Sequence, residues 1–204
     1  MKRKLLIATH NKAKIKELKQ FLSGLLPNIE LLSLSDLNII DEPNETGKIF
    51  LENAKLKAEY YAKHANMPAL SDDGGLVIES LNGEPGVHSN RWMGHRATDQ
   101  ELIKYCLKRM EKFPKGKRSA RFEVCIYYFD PITGGELFET GTIDGSISEK
   151  ASTKIESGYP YRSVFIVTKF NKFYTDLSAD EHGQINHRLQ AVKRLAQKLK
   201  TWYN

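Results

Sequence analysis

The chain has 204 residues, with 31 Lys and Arg against 25 Asp and Glu, a formal charge of +6. Forty per cent apolar and 27% charged residues are globular values and exclude a disordered or fibrous chain. The length suits one domain of ordinary size or two small lobes, and no run of 18 apolar residues offers a membrane span. The start is basic but too briefly apolar for a signal peptide. Cys106 and Cys125 fall inside apparent secondary structure without metal-ligand spacing, so a reducing, cytoplasmic setting is expected. A pI near 9.1 with basic ends admits a nucleic-acid partner, solvated helix faces or a small polyanionic substrate. Composition does not choose among them.

In chain order, Lys4–Thr9 reads as a short buried strand. It feeds a helix with Ile15, Leu18, Leu22 and Leu25 on one face, stopped at Pro27 and Asn28. Ile29–Leu34 is a second strand, and Phe50, Ala54, Ala58, Tyr61 and Ala65 mark a second helix closed by Asn66. Ala69–Ser71 and Leu76–Ile78 are expected as two short strands around a turn formed by Asp72, Asp73, Gly74 and Gly75. A loop rich in Gly, Pro and Asn (82–95) leads to Thr98 and Glu101, a capping box that opens a third helix to about Met110. Arg121–Phe129 and Glu136–Ile147 form an antiparallel hairpin pattern, and Val164–Val167 is one more strand. Ser178 and Glu181 make a second capping box before one last helix, which turns Ile185, Leu189, Val192, Ala196 and Leu199 inward. The order predicts an α/β protein with a mixed β-sheet flanked by helices, in two lobes around a central cleft.

Six groups of residues are able to carry chemistry. Thr9, His10, Asn11 and Lys14 stand where a strand runs into a helix, where free N–H groups and the helix dipole favour an anion. A plain helix cap with a solvated face is the alternative. Asp72 and Asp73 suit a hard cation or a general base, or else an ordinary Asp-Gly turn. The acidic stretch 41–45 offers a further carboxylate or a solvated loop. Glu52, Asn53 and Lys57 lie off the apolar helix face and read as water-facing. Tyr159 and Tyr161, in a Gly/Pro loop before Arg162, suit base stacking or a hydrophobic plug. His187 and Arg188, preceded by His182, suit a base carbonyl, a phosphate or mere surface.

The order of these groups is more specific than any of them. Thr9, Asn11, Lys14 and Glu17 are followed by Glu52-Asn53-Ala54 with Lys57-Ala58, then by Ser71-Asp72-Asp73 with Gly75-Leu76. Leu81-Asn82-Gly83 with Pro85-Gly86-Val87 and Ser89, and a late Asn186-His187-Arg188, complete the series. In this the chain resembles the inosine/xanthosine triphosphate pyrophosphatases, from Leu5 to about Leu195, most specifically over Leu70–Arg91. The resemblance implies one domain over 1–204 with a long mixed sheet, two lobes and a central cleft, usually as a homodimer. It implies Mg²⁺-dependent hydrolysis of a nucleoside triphosphate between the α and β phosphates, giving monophosphate and pyrophosphate.

Carried over by position, Thr9, Asn11 and Lys14 hold phosphates with help from Lys57. Asp73 is metal ligand and general base, with Glu45 the second carboxylate. Tyr159 stacks on the base, and His187 with Arg188 reads the purine 6-oxo group. The departures concern base and phosphate seating. His10 replaces a Gly and Gly74 a Ser. Tyr159-Pro160-Tyr161-Arg162 replaces Phe-Gly-Tyr-Asp, and His182 stands for a Lys. A nucleotide-binding sensor without useful catalysis is the rival reading. A nucleic-acid partner is not expected, because no recognisable module accompanies the basic residues. No membrane partner is expected either.

Overall fold

The computed structural model describes residues 3–203. Its seven strands are Arg3–Ile7 (β1), Ile29–Ser33 (β2), Ala69–Ile78 (β3), Ser119–Phe129 (β4), Glu136–Ile147 (β5), Phe165–Val167 (β6) and Lys172–Phe173 (β7). They join one sheet in the order β2-β1-β3-β4-β5-β6-β7. β1 runs parallel to β2 and β3, whereas β6 is antiparallel to β5 and β7, so the sheet is mixed. The helices are Lys12–Leu25 (α1), Phe50–Ala65 (α2), Asp99–Met110 (α3), Ala179–Ile185 (α4) and His187–Tyr203 (α5). Two compact units divide the chain: the first is Met1–Asp73, Val124–Gly141 and Arg188–Asn204, the second Gly74–Glu123 and Thr142–His187.

In the first unit β1 lies between β2 and β3, and its apolar end, Leu5 to Ile7, is buried on both faces while Arg3 and Lys4 are exposed. Successive side chains of a strand point to opposite faces. Leu5 and Ile7 accordingly join a core with Leu18 and Leu22 of α1 and Val192, Leu195 and Leu199 of α5. Leu6 and Ala8 join another with Tyr61 and Ala62 of α2. The second unit has its own core, in which Leu76 and Ile78 pack with Leu102, Ile103 and Cys106 of α3 and with Phe122, Phe165 and Tyr174.

Two expectations are corrected. The turn expected at Asp72–Gly75 is absent, and β3 runs unbroken from Ala69 to Ile78. Its glycines serve closeness rather than turning. Neither Gly74 nor Gly75 has positive φ, and a Cβ on Gly75 would run into Ser89 Oγ and lie 2.8 Å from the Gly86 carbonyl oxygen. The single last helix is in fact two, α4 and α5, because Asn186 is extended at φ −60, ψ 102. No proline or glycine marks that break in the sequence. The short β7 lacks a sequence signal altogether. By contrast, Asn66 closes α2 in the left-handed region at φ 48, and both capping boxes form.

Candidate active site

The first unit builds a charged cluster from both faces of β3. At the head of α1, Asn11 accepts the N–H groups of Ala13 and Lys14 on Oδ1 at 2.9 and 3.1 Å. Thr9 Oγ1 accepts from the Asn11 N–H at 3.3 Å. No acidic residue lies in the first turn of α1. The positive end of that helix is therefore uncompensated by a carboxylate of its own, and it favours an external anion.

Because β3 is extended at Asp72 and Asp73, the two carboxylates leave it on opposite faces. Asp72, with no exposed side-chain surface, turns to the α1/α5 face. There it pairs with Lys14 and receives Arg188 Nε at 2.5 Å, and Arg188 Nη1 reaches Glu17 at 2.7 Å. Burial opposes the Asp72 charge, but Arg188 and Lys14 overcome it and hold the carboxyl well below the usual range. Asp73 turns to the α2 face and receives Lys57 Nζ on Oδ1 at 2.8 Å. The same ammonium meets Glu45 at 2.9 Å. Burial works against the Lys57 charge, yet Asp73 and Glu45 together raise its pKa above the ordinary lysine value. Asp73 is moved the other way from Asp72: burial raises its pKa by more than Lys57 and Lys14 lower it.

The water-facing reading is thus corrected for Asn53 and Lys57, while Glu52 is exposed as expected. Asn53 and Lys57 are 2% and 9% exposed, turned inward by the neighbouring carboxylates and by the Gly47 N–H, which Asn53 Oδ1 accepts at 2.8 Å. Asp73 Oδ2 is buried without a hydrogen-bond partner among the described residues. Two carboxylates already converge on one cationic atom, and a carboxylate oxygen remains unsatisfied beside them. That donor set fits a hard divalent cation, which takes one or two protein carboxylates and completes its shell with water and substrate oxygens. Among the described residues no set of three His, Cys, Asp or Glu side chains forms a self-sufficient metal cage.

The second unit gathers the aromatic and basic residues. The Arg162 guanidinium lies 3.7 Å from the Tyr159 ring centroid and 4.7 Å from that of Tyr174, and Nη1 donates to Glu156 at 2.8 Å. The Tyr174 hydroxyl and His182 Nε2 are 2.9 Å apart, and Asn186 Nδ2 is 3.4 Å from the same nitrogen. His187 stacks on Phe122 at 6.0 Å and 14°, and Phe122 meets Tyr174 edge-on. Tyr161 is buried among the core residues and donates its hydroxyl to the Ser89 carbonyl at 2.7 Å. Gly74, half-buried, continues β3 directly from Asp73.

Of the residues singled out from sequence, the first unit brings Glu45, Lys57 and Asp73 into one ion-pair cluster on the α2 face of β3, and Lys14 and Arg188 into another, around Asp72, on the α1/α5 face, with Thr9 and Asn11 at the helix head beside Lys14. The second groups Tyr159, Arg162, His182 and His187 around Tyr174. His10 turns away to a loop carbonyl, Asp41 O, at 3.1 Å. Sequence reasoning offered Asp72 as a cation ligand or base and Glu17 only as part of a motif, not as the partners of Lys14 and Arg188, and it missed Glu156, Phe122 and Tyr174. For Asp72 the signal was available, since two adjacent acids inside a buried strand must each find a cation. Tyr174 carried none.

Comparison with known proteins places the chain beside a defined group. The profile of the Ham1 family matches residues 5–198. A dITP/XTP pyrophosphatase of Wigglesworthia glossinidia brevipalpis is 42% identical over 201 residues, 97% of this chain and 98% of its own. The dITP/XTP pyrophosphatase of Thermus thermophilus is 39% identical over 197 residues, 97% of this chain and 92% of its own. Among solved structures, a HAM1 protein from Coxiella burnetii superposes with a TM-score of 0.84 at 32% identity, covering 98% of this chain and 99% of that one. The Staphylococcus aureus Ham1 protein gives 0.83 at 32%, with the same coverage.

Proposed function

Because the chain belongs to the Ham1 family, we propose that it is a nucleoside triphosphate pyrophosphatase. It hydrolyses non-standard purine nucleotides such as dITP, ITP and XTP to the monophosphate and pyrophosphate. The observation that carries this reading is Asp73, a buried carboxylate with a raised pKa and an unsatisfied oxygen, set against Lys57 and Glu45. A carboxylate poised this way is a general base for water.

In this reading Asp73 and Glu45 hold a divalent cation, taken to be Mg²⁺, which when bound neutralises charge on the phosphate oxygens. Lys57 and Lys14, with the uncompensated head of α1 at Thr9 and Asn11, bind and orient the polyphosphate. Asp73 accepts a proton from the attacking water as its oxygen bonds to the α-phosphorus. The bond from that phosphorus to the α,β-bridging oxygen breaks, and pyrophosphate leaves with the electron pair. Lys14 reaches this role from a pairing with Asp72, so its ammonium is held in place before any anion arrives. Tyr159, Arg162, His182 and His187 receive the base, with the Tyr161 hydroxyl anchoring the 159–162 segment to the Ser89 carbonyl, and Gly74, next to Asp73 in β3, belongs to the phosphate side. Arg188, whose Nε and Nη1 are spent on Asp72 and Glu17, acts from the phosphate side. The enzyme works in the cytoplasm as a homodimer. Among the described residues no helix is long and apolar enough to cross a membrane.

The test is pyrophosphate release with Mg²⁺ from dITP, ITP, XTP and the standard triphosphates, with Asp73→Asn run alongside. Loss of the base is expected to lower kcat by about 10²–10⁴-fold in a protein that melts normally. Wild-type turnover in that variant would remove Asp73 from the chemistry.

A further inference from the structure

His10 sits between Thr9 and Asn11, yet its side chain does not join the helix head. Nε2 points at the carbonyl oxygen of Asp41, 3.1 Å away. A carbonyl only accepts, so this ring nitrogen must carry the proton. The Tyr61 hydroxyl donates to the same carbonyl at 3.0 Å, and the His10 and Tyr61 rings meet edge to face at 6.0 Å and 76°. The Asp41 carboxylate is taken by the Tyr60 hydroxyl, with His64 Nδ1 at 4.0 Å. Asp41 is thereby fastened from two directions, by the turn after β1 and by one face of α2.

Four residues further on, Glu45 meets Lys57 at 2.9 Å, and two beyond that the Gly47 N–H bonds Asn53 Oδ1 at 2.8 Å. A Cβ at Gly47 would lie 2.5 Å from that oxygen and 2.9 Å from the Asn53 nitrogen. The segment 41–47 belongs to no helix or strand and is fixed at both ends, with Glu45 between the fixings.

We propose that His10 is a positioning residue for the metal-binding carboxylates: by clamping the Asp41 carbonyl together with Tyr61, it sets Glu45 against Asp73. This rests on the reading that Asp73 and Glu45 hold the cation. His10 thus ties the segment that seats phosphate, Thr9 to Lys14, to the segment that supplies the second metal ligand. Its place between two phosphate-seating residues reflects that tie rather than contact with substrate. The bond survives protonation of the ring, since imidazolium also donates, so the tie does not depend on the charge of His10.

The experiment measures Mn²⁺ binding to the nucleotide-free protein by the electron paramagnetic resonance of free Mn²⁺, in wild type, His10→Ala, His10→Gln and Tyr61→Phe. His10→Ala is expected to weaken Mn²⁺ binding about tenfold, the scale seen when outer partners of metal ligands are removed. Tyr61→Phe is expected to move in the same direction. His10→Gln, whose amide can donate to the same carbonyl, is expected to recover most of the loss. The metal concentration for half-maximal hydrolysis should rise in parallel, with the nucleotide KM at saturating metal little changed. Wild-type Mn²⁺ affinity in a folded His10→Ala protein would overturn the proposal. So would a raised nucleotide KM with intact Mn²⁺ binding, which would put His10 on the phosphates. Glu45→Gln and Asp73→Asn serve as controls. If they too leave Mn²⁺ binding intact, the metal reading itself fails. If they weaken it while His10→Ala does not, only the clamp fails.

Discussion

Asp72→Asn removes one negative charge from a site that holds the buried Arg188 and the half-buried Lys14. Lys14 and Arg188 both lean on this carboxylate; Arg188 keeps a paired second acid, Glu17 at 2.7 Å, and Lys14 only the longer-range pull of Asp73. Breaking a buried pair by removing one partner costs about 3–5 kcal/mol, because the charge left behind has no solvent to turn to. For a chain of this size each kcal/mol moves Tm by roughly 2–4 °C, so a fall of about 6–20 °C is expected. Thermal and urea denaturation at neutral pH measure it directly. The folded-state carboxyl lies below its usual value, so its contribution is present above the unfolded pKa of about 3.9 and fades as pH falls towards the folded one. The gap between wild type and Asp72→Asn should therefore narrow in acid. Lys14→Met in the Asp72→Asn background should cost less than the two changes summed, because the stranded ammonium is gone. A variant melting within a degree or two of wild type, with no narrowing at low pH, would refute the charge balance described for this network.

Further outcomes are expected at Asp73, the proposed base, and at the aromatic cluster. Since burial raises the Asp73 pKa, the base form is lost as pH falls through that raised value. Protonation then competes with metal, so Mn²⁺ affinity of the nucleotide-free protein should fall at a pH above the ordinary carboxylate range, and a fall only at or below about 3.9 would contradict the assignment. Arg162→Gln deletes the cation held between Tyr159 and Tyr174. The ratio of kcat/KM among dITP, ITP and XTP should shift by about tenfold or more, since a site that loses a polar partner loses discrimination. An unchanged ratio would take Arg162 out of base selection.

The sequence made the fold legible where pattern and physics coincide. β1 ends in the buried apolar run Leu5 to Ile7, and α1 shows helical spacing through Leu18 and Leu22. Thr98 with Glu101 and Ser178 with Glu181 form the expected reciprocal bonds. It misled where local chemistry was overruled by tertiary pairing. Asp72 to Gly75 looks like a turn, but each acid has a cation waiting on its own face of the sheet, and Gly75 is needed for the closeness of Ser89. Lys57 and Asn53 look like surface residues because helical periodicity counts only apolar side chains. The break at Asn186 has no breaker residue. Asn186 is 1% exposed and lies at hydrogen-bonding distance from His182, four residues earlier. The candidate site was legible through the order of its motifs. Its supporting acids, Asp72 and Glu17, and the tie from His10 to Asp41 needed coordinates, because each joins residues far apart in the chain.

The central claim is attack of water at the α-phosphorus, and isotope placement tests it most directly. Hydrolysis of dITP in ¹⁸O-labelled water, followed by mass spectrometry of both products, reads which phosphorus was attacked. The account requires the label in the nucleoside monophosphate and unlabelled pyrophosphate. Label in pyrophosphate, or release of inorganic phosphate with a diphosphate left behind, would contradict it.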